Sequence, residues 1–416
     1  MSREMAFSAS VGINARNLVC TLSLALFVVP VGAAHANTFK VLHTFTESDG
    51  AYPNSNLVID GNGNLYGTTG LGGLNGAGTV FELAPDGTET VLYSFAEGSG
   101  GFGPDGLTMD KKGNLWGAAC CGGNADGCGI LFKFTPKGRE VLVHTFGGPP
   151  NDGCTPDGTL IIDANDNLYG ATSGGGSGRV GAVFERNSDG AQAVLYSFCP
   201  REPPHCAHGE SPDAGPIVDV AGNLFGTTGS GGSRNCSSGC GIVFELARNG
   251  TETVLYKFKG SPNDGSLPLG NLIVDQSGNF YGTLYRDGLA GCDADLGCGA
   301  VFRLAPDGTE KVLHLFAGKK GDGGNPVAGL IADGAGTLYG TTEYGGGDAC
   351  TVISLGCGTV FELAPDGTEV VLHSFGKGNN GANPVGGLVA DNTGTFYGTA
   401  SQGGTYGYGT VFEITP

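Results

Sequence analysis

Histidine, tyrosine and glutamate side chains that could take part in acid–base chemistry recur at fixed places in this sequence. Histidine and tyrosine alternate at one position of a repeated segment: His43, Tyr93, His144, Tyr196, Tyr256, His314 and His373. Residues that recur in this way belong to different structural units, so they cannot converge on one general acid–base site. The sequence also lacks the GxSxG, HExxH and GxxxxGK[ST] motifs. These observations argue against a conventional catalytic centre.

Links between the repeated segments carry polar residues four positions before a proline. They include Asp49, Asp152, Asp264, Asp322 and His208. These five residues are the candidates for ligand binding at the mouth of a central channel. Converging carboxylates could hold a Ca²⁺ ion, but one aspartate per segment provides few of the oxygens that Ca²⁺ needs. The favoured interpretation is a turn in which each aspartate accepts a hydrogen bond from its own backbone, and we predict no metal or cofactor.

The 13 cysteines predict a set of disulfides. Cys20 lies in the amino-terminal segment, which leaves 12 cysteines. An even number of cysteines in an exported chain is typical of disulfide bonding. The sequence has no pair of CxxC knuckles for a metal. Spacing predicts the bonds Cys121–Cys128, Cys199–Cys206, Cys236–Cys240, Cys292–Cys298 and Cys350–Cys357, and elimination leaves Cys120–Cys154. We expect these bonds to fix the shapes of loops.

A tandem repeat provides the elements that position these residues. The segment Asn64-Leu-Tyr-Gly-Thr-Thr69 returns with its aromatic residue at positions 66, 116, 169, 225, 281, 339 and 397. Short apolar runs rich in Val, Phe, Tyr and Thr surround each copy and are typical of β-strands. Asp-x-x-Gly and Pro-Asp-Gly connections predict tight antiparallel hairpins. The glycine after each aromatic residue predicts a place where neighbouring units come too close for a side chain.

Seven four-stranded antiparallel units predict an all-β fold, the seven-bladed β-propeller. The rival fold, a parallel β-helix, would lack paired tight hairpins. We expect residues 37–416 to form one domain with blades at 54–95, 104–146, 156–198, 212–258, 268–316, 326–375 and 384–416. The last unit has three runs, and the segment 38–45 matches a fourth. We therefore predict that the amino-terminal strand completes the last blade (3+1), because an open ring would leave an unpaired edge.

The two faces of such a ring differ in the length of their connections. One face carries short turns, whereas the other carries long, glycine-rich loops such as 70–78 and 343–358. Variable loops on a rigid scaffold are where binding sites usually lie. We therefore predict the long-loop face as the binding surface.

Residues 1–36 predict a cleaved signal peptide. An apolar run from Leu18 to Val31 precedes the small-x-small cleavage pattern Ala34-His-Ala36. The run is too short to span a bilayer comfortably, so we expect a secreted or periplasmic protein without a membrane span. The net charge of −19 would repel nucleic acid and anionic lipid. We expect a monomer whose partner is a ligand such as a glycan, or another protein.

The string GNLYGTT…GTVFELAPDGT…TVLYSF resembles the GloVer tandem repeat of exported bacterial proteins of the choice-of-anchor type. The resemblance covers about 39–416, implies an extracellular β-propeller and provides no catalytic residues. We therefore expect a non-enzymatic exported scaffold that binds a ligand or partner, such as a glycan, through its long-loop face. The alternative is an extracellular propeller enzyme, a polysaccharide lyase or hydrolase or a lactonase-like protein, with Ca²⁺ at the channel mouth.

Overall fold

The prediction of a seven-bladed β-propeller is confirmed. The computed structural model describes residues 37–416 except 99, 137, 139, 201–205, 261–263, 288–297, 319–320, 348–349, 351–355 and 377–378. These residues form seven antiparallel blades and contain no helix. This part of the chain therefore offers no helix with the length and apolar character to cross a membrane. The predicted signal peptide at 1–36 lies outside the described residues.

Each blade is a meander of four strands. Blade 1 contains β3 (Val58–Ile59), β4 (Leu65–Leu71), β5 (Thr79–Leu83) and β6 (Glu89–Ser94), with β2 (Ala51–Pro53) also paired to β4. Blade 2 contains β7 (Phe102–Met109), β8 (Leu115–Cys121), β9 (Ile130–Phe134) and β10 (Glu140–Thr145). Blade 3 contains β11 (Gly153–Ile162), β12 (Leu168–Gly175), β13 (Ala182–Arg186) and β14 (Gln192–Ser197). Blade 4 contains β15 (Ile217–Val218), β16 (Leu224–Thr228), β17 (Ile242–Leu246) and β18 (Glu252–Lys257).

The remaining blades have the same order. Blade 5 contains β19 (Ile273–Val274), β20 (Phe280–Leu284), β21 (Ala300–Leu304) and β22 (Glu310–Leu315). Blade 6 contains β24 (Ile331–Ala332), β25 (Leu338–Thr342), β27 (Thr359–Leu363) and β28 (Glu369–Ser374), beside a short pair formed by β23 (Gly323–Gly324) and β26 (Tyr344–Gly345). Blade 7 contains β29 (Val389–Ala390), β30 (Phe396–Ala400), β31 (Thr410–Thr415) and β1 (Thr38–Thr44).

The first hairpin of each blade is held by its own aspartate. In blade 1, Asp60 Oδ1 accepts the backbone N–H groups of Asn62 at 2.8 Å and Asn64 at 2.9 Å. Gly63 takes a positive φ of 85°, which glycine adopts without steric cost. The Asp-x-x-Gly spacing therefore specifies a turn that local hydrogen bonds complete.

Neighbouring blades pack through one repeated pair of phenylalanines. A phenylalanine that follows each fourth strand meets the phenylalanine of the third strand in the next blade, with ring centroids 5.0–5.3 Å apart. The pairs are Phe45–Phe81, Phe95–Phe132, Phe146–Phe184, Phe198–Phe244, Phe258–Phe302, Phe316–Phe361 and Phe375–Phe412. These rings are almost completely buried, so they form the hydrophobic core between blades.

The two ends of the chain meet in blade 7. Strand β1 pairs antiparallel with β31, and Val41 lies opposite Phe412. Beyond β1, Phe45 packs on blade 1 as described above. On the inner side, the N–H of Gly387 donates to Asn56 Oδ1 at 2.6 Å. Blades 7 and 1 thus contact each other through both their outer and their inner strands.

The glycine after the repeated aromatic residue has a different cause from the one predicted from the sequence. A Cβ atom on Gly67 would lie 2.6 Å from Phe81 Cζ and 2.8 Å from Leu57 Cδ2, both in the same blade. The other six glycines meet the equivalent phenylalanine of their own blades. The glycine therefore makes room for the third-strand phenylalanine rather than for a neighbouring blade.

Close backbone contacts between blades occur instead at the first strands. A Cβ atom on Gly158 would lie 2.6 Å from Gly215 N, and one on Gly386 would lie 2.6 Å from Ser55 O. These contacts join the first strands of blades 3 and 4 and of blades 7 and 1. The first strands are therefore the ones nearest the axis of the ring.

Candidate functional site

Four disulfides with both cysteines in the described part of the chain confirm the prediction that the cysteines form disulfide bonds. Three of them join cysteines that spacing predicts: Cys199–Cys206, Cys236–Cys240 and Cys350–Cys357. Cys292 lies outside the described residues, and Cys298 is itself disulfide-bonded. Such bonds are typical of proteins in an oxidising compartment.

The fourth disulfide corrects the predicted pairs Cys121–Cys128 and Cys120–Cys154. Cys128 is bonded to Cys154, with a Cα–Cα distance of 4.3 Å. The beginning of β11 runs against the residues that precede β9, and the N–H of Thr155 donates to Cys128 O at 2.9 Å. This contact brings Cys154 close to Cys128, so the bond joins two blades. Among the described cysteines, Cys120 and Cys121 are free, and their Sγ atoms lie 2.7 Å apart.

The predicted channel-mouth aspartates lie instead between the outer parts of neighbouring blades. Each caps a backbone N–H in its own link: Thr46 to Asp49 at 2.7 Å, Gly147 to Asp152 at 2.9 Å, Lys259 to Asp264 at 2.8 Å and Ala317 to Asp322 at 2.7 Å. This is the turn that the favoured interpretation describes. The second carboxylate contact of each aspartate is with the fourth strand, or its end, in the preceding blade.

Those contacts separate the aspartates from one another. Asp152 lies 2.8 Å from His144 Nε2, and Tyr256 donates its hydroxyl to Asp264 at 2.6 Å. His208 likewise contacts Glu252 at the start of β18, at 2.7 Å. Because fourth strands lie farthest from the first strands, the structure places each of these residues in its own blade junction. It does not bring them together around the channel mouth.

Glutamates at the start of the fourth strands complete several of these junctions. Burial raises the pKa of Glu89 to about 7, with Asp49 adding to the shift and His43 opposing it. Burial also raises the pKa of Glu369 to about 7, with Asp322 adding and His314 opposing. A carboxylate, a second carboxylate and an imidazole therefore share each of these two partly buried places.

A second set of residues, not identified from the sequence, lies nearer the axis. The residue directly after each repeated proline lies four positions before the first strand in blades 1 and 4–7, and within the first strand in blades 2 and 3. Every one of these prolines is buried, whereas every following residue is partly exposed. We call the seven following residues the mouth ring: Asn54, Asp105, Asp157, Asp213, Leu269, Val327 and Val385. The first strands begin on the long-loop face, so the mouth ring lies at that end of the channel.

Contacts connect consecutive members of the mouth ring. Asp105 Oδ2 accepts the N–H of Gly158, the residue after Asp157, at 3.2 Å. A Cβ atom placed on Gly229 would meet both Asp213 and Leu269. The mouth ring therefore passes continuously from blade 2 to blade 5.

The three aspartates of the mouth ring share a desolvated environment. Burial raises the pKa of Asp157 to about 6, and the neighbouring charge of Asp105 adds to this shift. Burial raises the pKa of Asp213 to about 7, and the charge of Asp157 adds. Carboxylates that repel one another and lose hydration are unfavourable to stability, and such groups concentrate at functional sites.

The opposite half of the mouth has different chemistry. There the mouth ring is apolar, with Leu269, Val327 and Val385. Beside it, Tyr285, directly after β20, donates its hydroxyl to Glu343 Oε2 at 3.0 Å. The channel mouth thus has an acidic half in blades 2–4, whereas in blades 5–7 apolar and aromatic residues surround one carboxylate, Glu343, which is hydrogen-bonded to Tyr285.

The short-turn face carries clefts of another kind. One lies between blades 2 and 3, and its lining includes Trp116, Lys133, Asp166 and Arg186. Lys133 Nζ already sits 4.7 Å from the centre of the Trp116 ring. A similar cleft lies between blades 3 and 4. Because both lie between the turns of consecutive blades, we attribute them to the shape of the repeat.

Comparison with solved structures supports the fold. The extracellular domain of a hybrid two-component system from B. thetaiotaomicron aligns with a TM-score of 0.56 and 13% identity, covering 91% of this chain and 41% of that one. A gluconolactonase from Xanthomonas campestris aligns with a TM-score of 0.45 and 13% identity, over 96% and 93% of the two chains. A luciferin-regenerating enzyme aligns with a TM-score of 0.44 and 12% identity, over 75% and 91%. At 13% identity, the likeness to the B. thetaiotaomicron domain shows the fold alone.

Sequence comparison identifies the family. Curated protein sequences give no match. The model of the Gloeobacter/Verrucomicrobia repeat matches residues 31–163, 104–294 and 237–416. Since these matches together span the whole propeller, the chain belongs to the Gloeobacter/Verrucomicrobia repeat family.

Proposed function

We propose that this protein is an exported, non-enzymatic binding propeller that holds a carbohydrate in the mouth of its channel on the long-loop face. The observation that carries the proposal is the division of the mouth ring into an acidic and an apolar half. A purely structural position would be expected to repeat in every blade, as the phenylalanine pairs do. The mouth ring repeats its backbone position but not its chemistry.

The two halves match the two kinds of surface that a sugar ring presents. Hydroxyl groups at its edge donate hydrogen bonds, and the carboxylates of Asp105, Asp157 and Asp213 accept them. The C–H face of the ring packs on apolar and aromatic side chains. Leu269 and Tyr285 stand on the side that would take this face. Asn54 Oδ1 adds a buried acceptor without a hydrogen-bond partner at the blade 1 side.

The compartment is consistent with this ligand. Disulfides occur in exported and periplasmic proteins, and polysaccharides of the cell wall and of the surroundings are found there. The acidic charge of −19 disfavours polyanions as ligands. A neutral or weakly basic glycan is therefore the expected class.

A glycan and cell-wall polysaccharide array tests the proposal, followed by calorimetry with the strongest hit. Charge-assisted hydrogen bonds contribute about 1.5–3 kcal/mol, so Asp157→Asn should lower the affinity about tenfold to hundredfold. The matched control is Asp307→Asn, because Asp307 is an aspartate in a Pro-Asp-Gly turn on the other face. An array without any hit, or equal affinity in the wild type and Asp157→Asn, would refute carbohydrate binding at the mouth.

The raised pKa values of the neighbouring Asp157 and Asp213 carboxyls favour a second candidate function. This candidate is a polysaccharide hydrolase or a lactonase-like enzyme. Near pH 6.5, Asp213 would be largely protonated and Asp157 largely ionised, which is the pattern of a general acid beside a general base. Incubation of array hits and sugar lactones with the protein, followed by chromatography, tests this candidate. A product that forms with the wild type but not with Asp213→Asn supports it, whereas unchanged substrates exclude it.

A further inference from the structure

Each blade junction contains one three-residue set outside the channel. Its members are the histidine or tyrosine near the end of a fourth strand, the residue four positions before the repeated proline, and the first residue of the next fourth strand. Two junctions combine histidine, aspartate and glutamate, the sets His43, Asp49, Glu89 and His314, Asp322, Glu369. In each set, one ligand atom from every residue lies within 4.8 Å of the others.

In these two sets the distance between imidazole nitrogen and carboxylate oxygen is longer than in a usual N–H···O hydrogen bond, which is about 2.7–3.2 Å. His43 Nε2 lies 3.3 Å from Asp49 Oδ2, and His314 Nε2 lies 3.4 Å from Asp322 Oδ1. Two ligands of a tetrahedral metal ion, each about 2.0–2.2 Å from it, are about 3.3–3.5 Å apart. The distances between imidazole and carboxylate therefore leave the gap that such an ion needs.

A junction that lacks the glutamate provides an internal comparison. Gln192 begins β14 opposite Arg186, as Glu89 begins β6 opposite Leu83. There His144 Nε2 lies 2.8 Å from Asp152 Oδ2, a normal hydrogen-bond distance. The open spacing thus accompanies the complete set of three metal-binding side chains.

Buried polar atoms without partners point to the same place. His43 Nε2 and Glu89 Oε1 are buried and have no hydrogen-bond partner, and the same holds for Glu369 Oε1. Buried polar atoms of proteins normally have a partner, and an ion is one explanation when they do not. Among the described residues, only these two sets bring an unpartnered glutamate together with both a histidine and an aspartate. The equivalent fourth-strand residues of other junctions also have unpartnered buried atoms but lack that combination: Gln192, Glu252 and Glu310.

We propose that His43, Asp49 and Glu89 bind one Zn²⁺-like divalent transition-metal ion, and that His314, Asp322 and Glu369 bind a second. Imidazole nitrogen and carboxylate oxygen both bind Zn²⁺ in proteins, and a site with three protein ligands leaves the fourth position for water. Ca²⁺ is disfavoured, because it takes six to eight oxygen ligands and no imidazole. Each ion would join two blades, and the first would tie β1 to blade 1.

Titration of the metal-free protein with Zn²⁺ alone, followed by calorimetry and by equilibrium dialysis, tests the proposal. The expected stoichiometry is two ions per chain. Glu89→Gln and Glu369→Gln should each remove one ion, and the double variant should bind none. These changes preserve the size of the side chain, and a thermal melt without metal checks that each variant folds. No saturable binding by the wild type, or two ions still bound by the double variant, would overturn the proposal.

The junction of blades 2 and 3 allows the opposite experiment. Gln192→Glu completes the set with His144 and Asp152, so a third Zn²⁺ should bind. Asp86→Asn, in an exposed Pro-Asp-Gly turn, is the control that should keep two ions. A stoichiometry that stays at two in Gln192→Glu would contradict the assignment of the three-residue set as the binding unit.

Discussion

The blade junctions and the mouth ring use the same repeat in opposite ways. Every junction keeps a pair of phenylalanines with centroids 5.0–5.3 Å apart. The mouth ring, by contrast, changes from asparagine to aspartate to leucine and valine around the channel. Close packing leaves little freedom in the size of a buried side chain, whereas a partly exposed position can diverge. Divergent chemistry on a repeated backbone is therefore the sign of function in this molecule.

Removal of β1 and the phenylalanine that follows it should have the largest effect on stability, because it opens one blade junction. Without residues 38–45, strand β31 loses its outer partner and Phe81 loses the ring of Phe45. An exposed edge and an open junction should destabilise all blades together, because each blade packs only on its neighbours. We expect loss of the cooperative unfolding transition in circular dichroism. A chain that lacks only residues 1–36 is the control, and a truncated protein with an unchanged transition would contradict the prediction.

Truncation of one junction phenylalanine should have the next largest effect. Phe302 is completely buried and packs on Phe258, so Phe302→Ala should lower the free energy of unfolding by about 3–5 kcal/mol. Leu269→Ala in the mouth ring removes a partly exposed side chain and should cost less than about 1.5 kcal/mol. Urea unfolding measures both. Equal losses would remove the distinction between the two regions.

Asp213 should make the free energy of unfolding depend on pH. This effect should be smaller than those of the two changes above. Burial raises its pKa to about 7 in the folded protein, whereas the unfolded value is about 3.9. Between about pH 4 and pH 7 the folded state holds a proton that the unfolded state has released, so stability falls as the pH rises through this window. We expect this group to contribute a loss of about 2–4 kcal/mol.

The variant Asp213→Asn should remove that part of the pH dependence. Comparison of its unfolding free energy with that of the wild type at pH 4.5 and pH 7.5 isolates the contribution of Asp213 from the other carboxyls. Asp86→Asn changes an exposed turn aspartate and should leave the wild-type slope intact. Parallel slopes for the wild type and Asp213→Asn would show that the carboxyl is well solvated.

Local turn chemistry made the blades predictable from the sequence. Asp60 and Gly63 specify a hairpin through contacts within five residues, and the sevenfold repetition distinguishes the fold from its rivals. Long-range contacts were not accessible in this way. The bond from Cys128 to Cys154 crosses a blade junction, and spacing along the chain carries no information about that distance. Asp49 was assigned to the channel for the same reason, because sequence does not show which end of a link lies near the axis.

The mouth ring did leave a signal in the sequence. Aspartate follows the repeated proline in three consecutive segments, at Asp105, Asp157 and Asp213, and aliphatic residues follow it in the last three. The recurring Asp-Gly-x-x-Pro pattern points instead to the residue four positions before the proline. In a repeat protein, the position that breaks the repeat is the more informative one.

Titration of the aspartate carboxyls by ¹³C NMR tests the central claim most directly, because it needs no ligand. Selective labelling of aspartate, with resonances assigned from Asp157→Asn, Asp213→Asn and Asp86→Asn, gives each pKa separately. We predict midpoints of about 6 for Asp157 and about 7 for Asp213, and a pKa below the usual value for Asp86, whose carboxylate accepts the N–H of Thr88. Midpoints near 4 for Asp157 and Asp213 would mean that the carboxylates of blades 3 and 4 do not share a desolvated channel mouth.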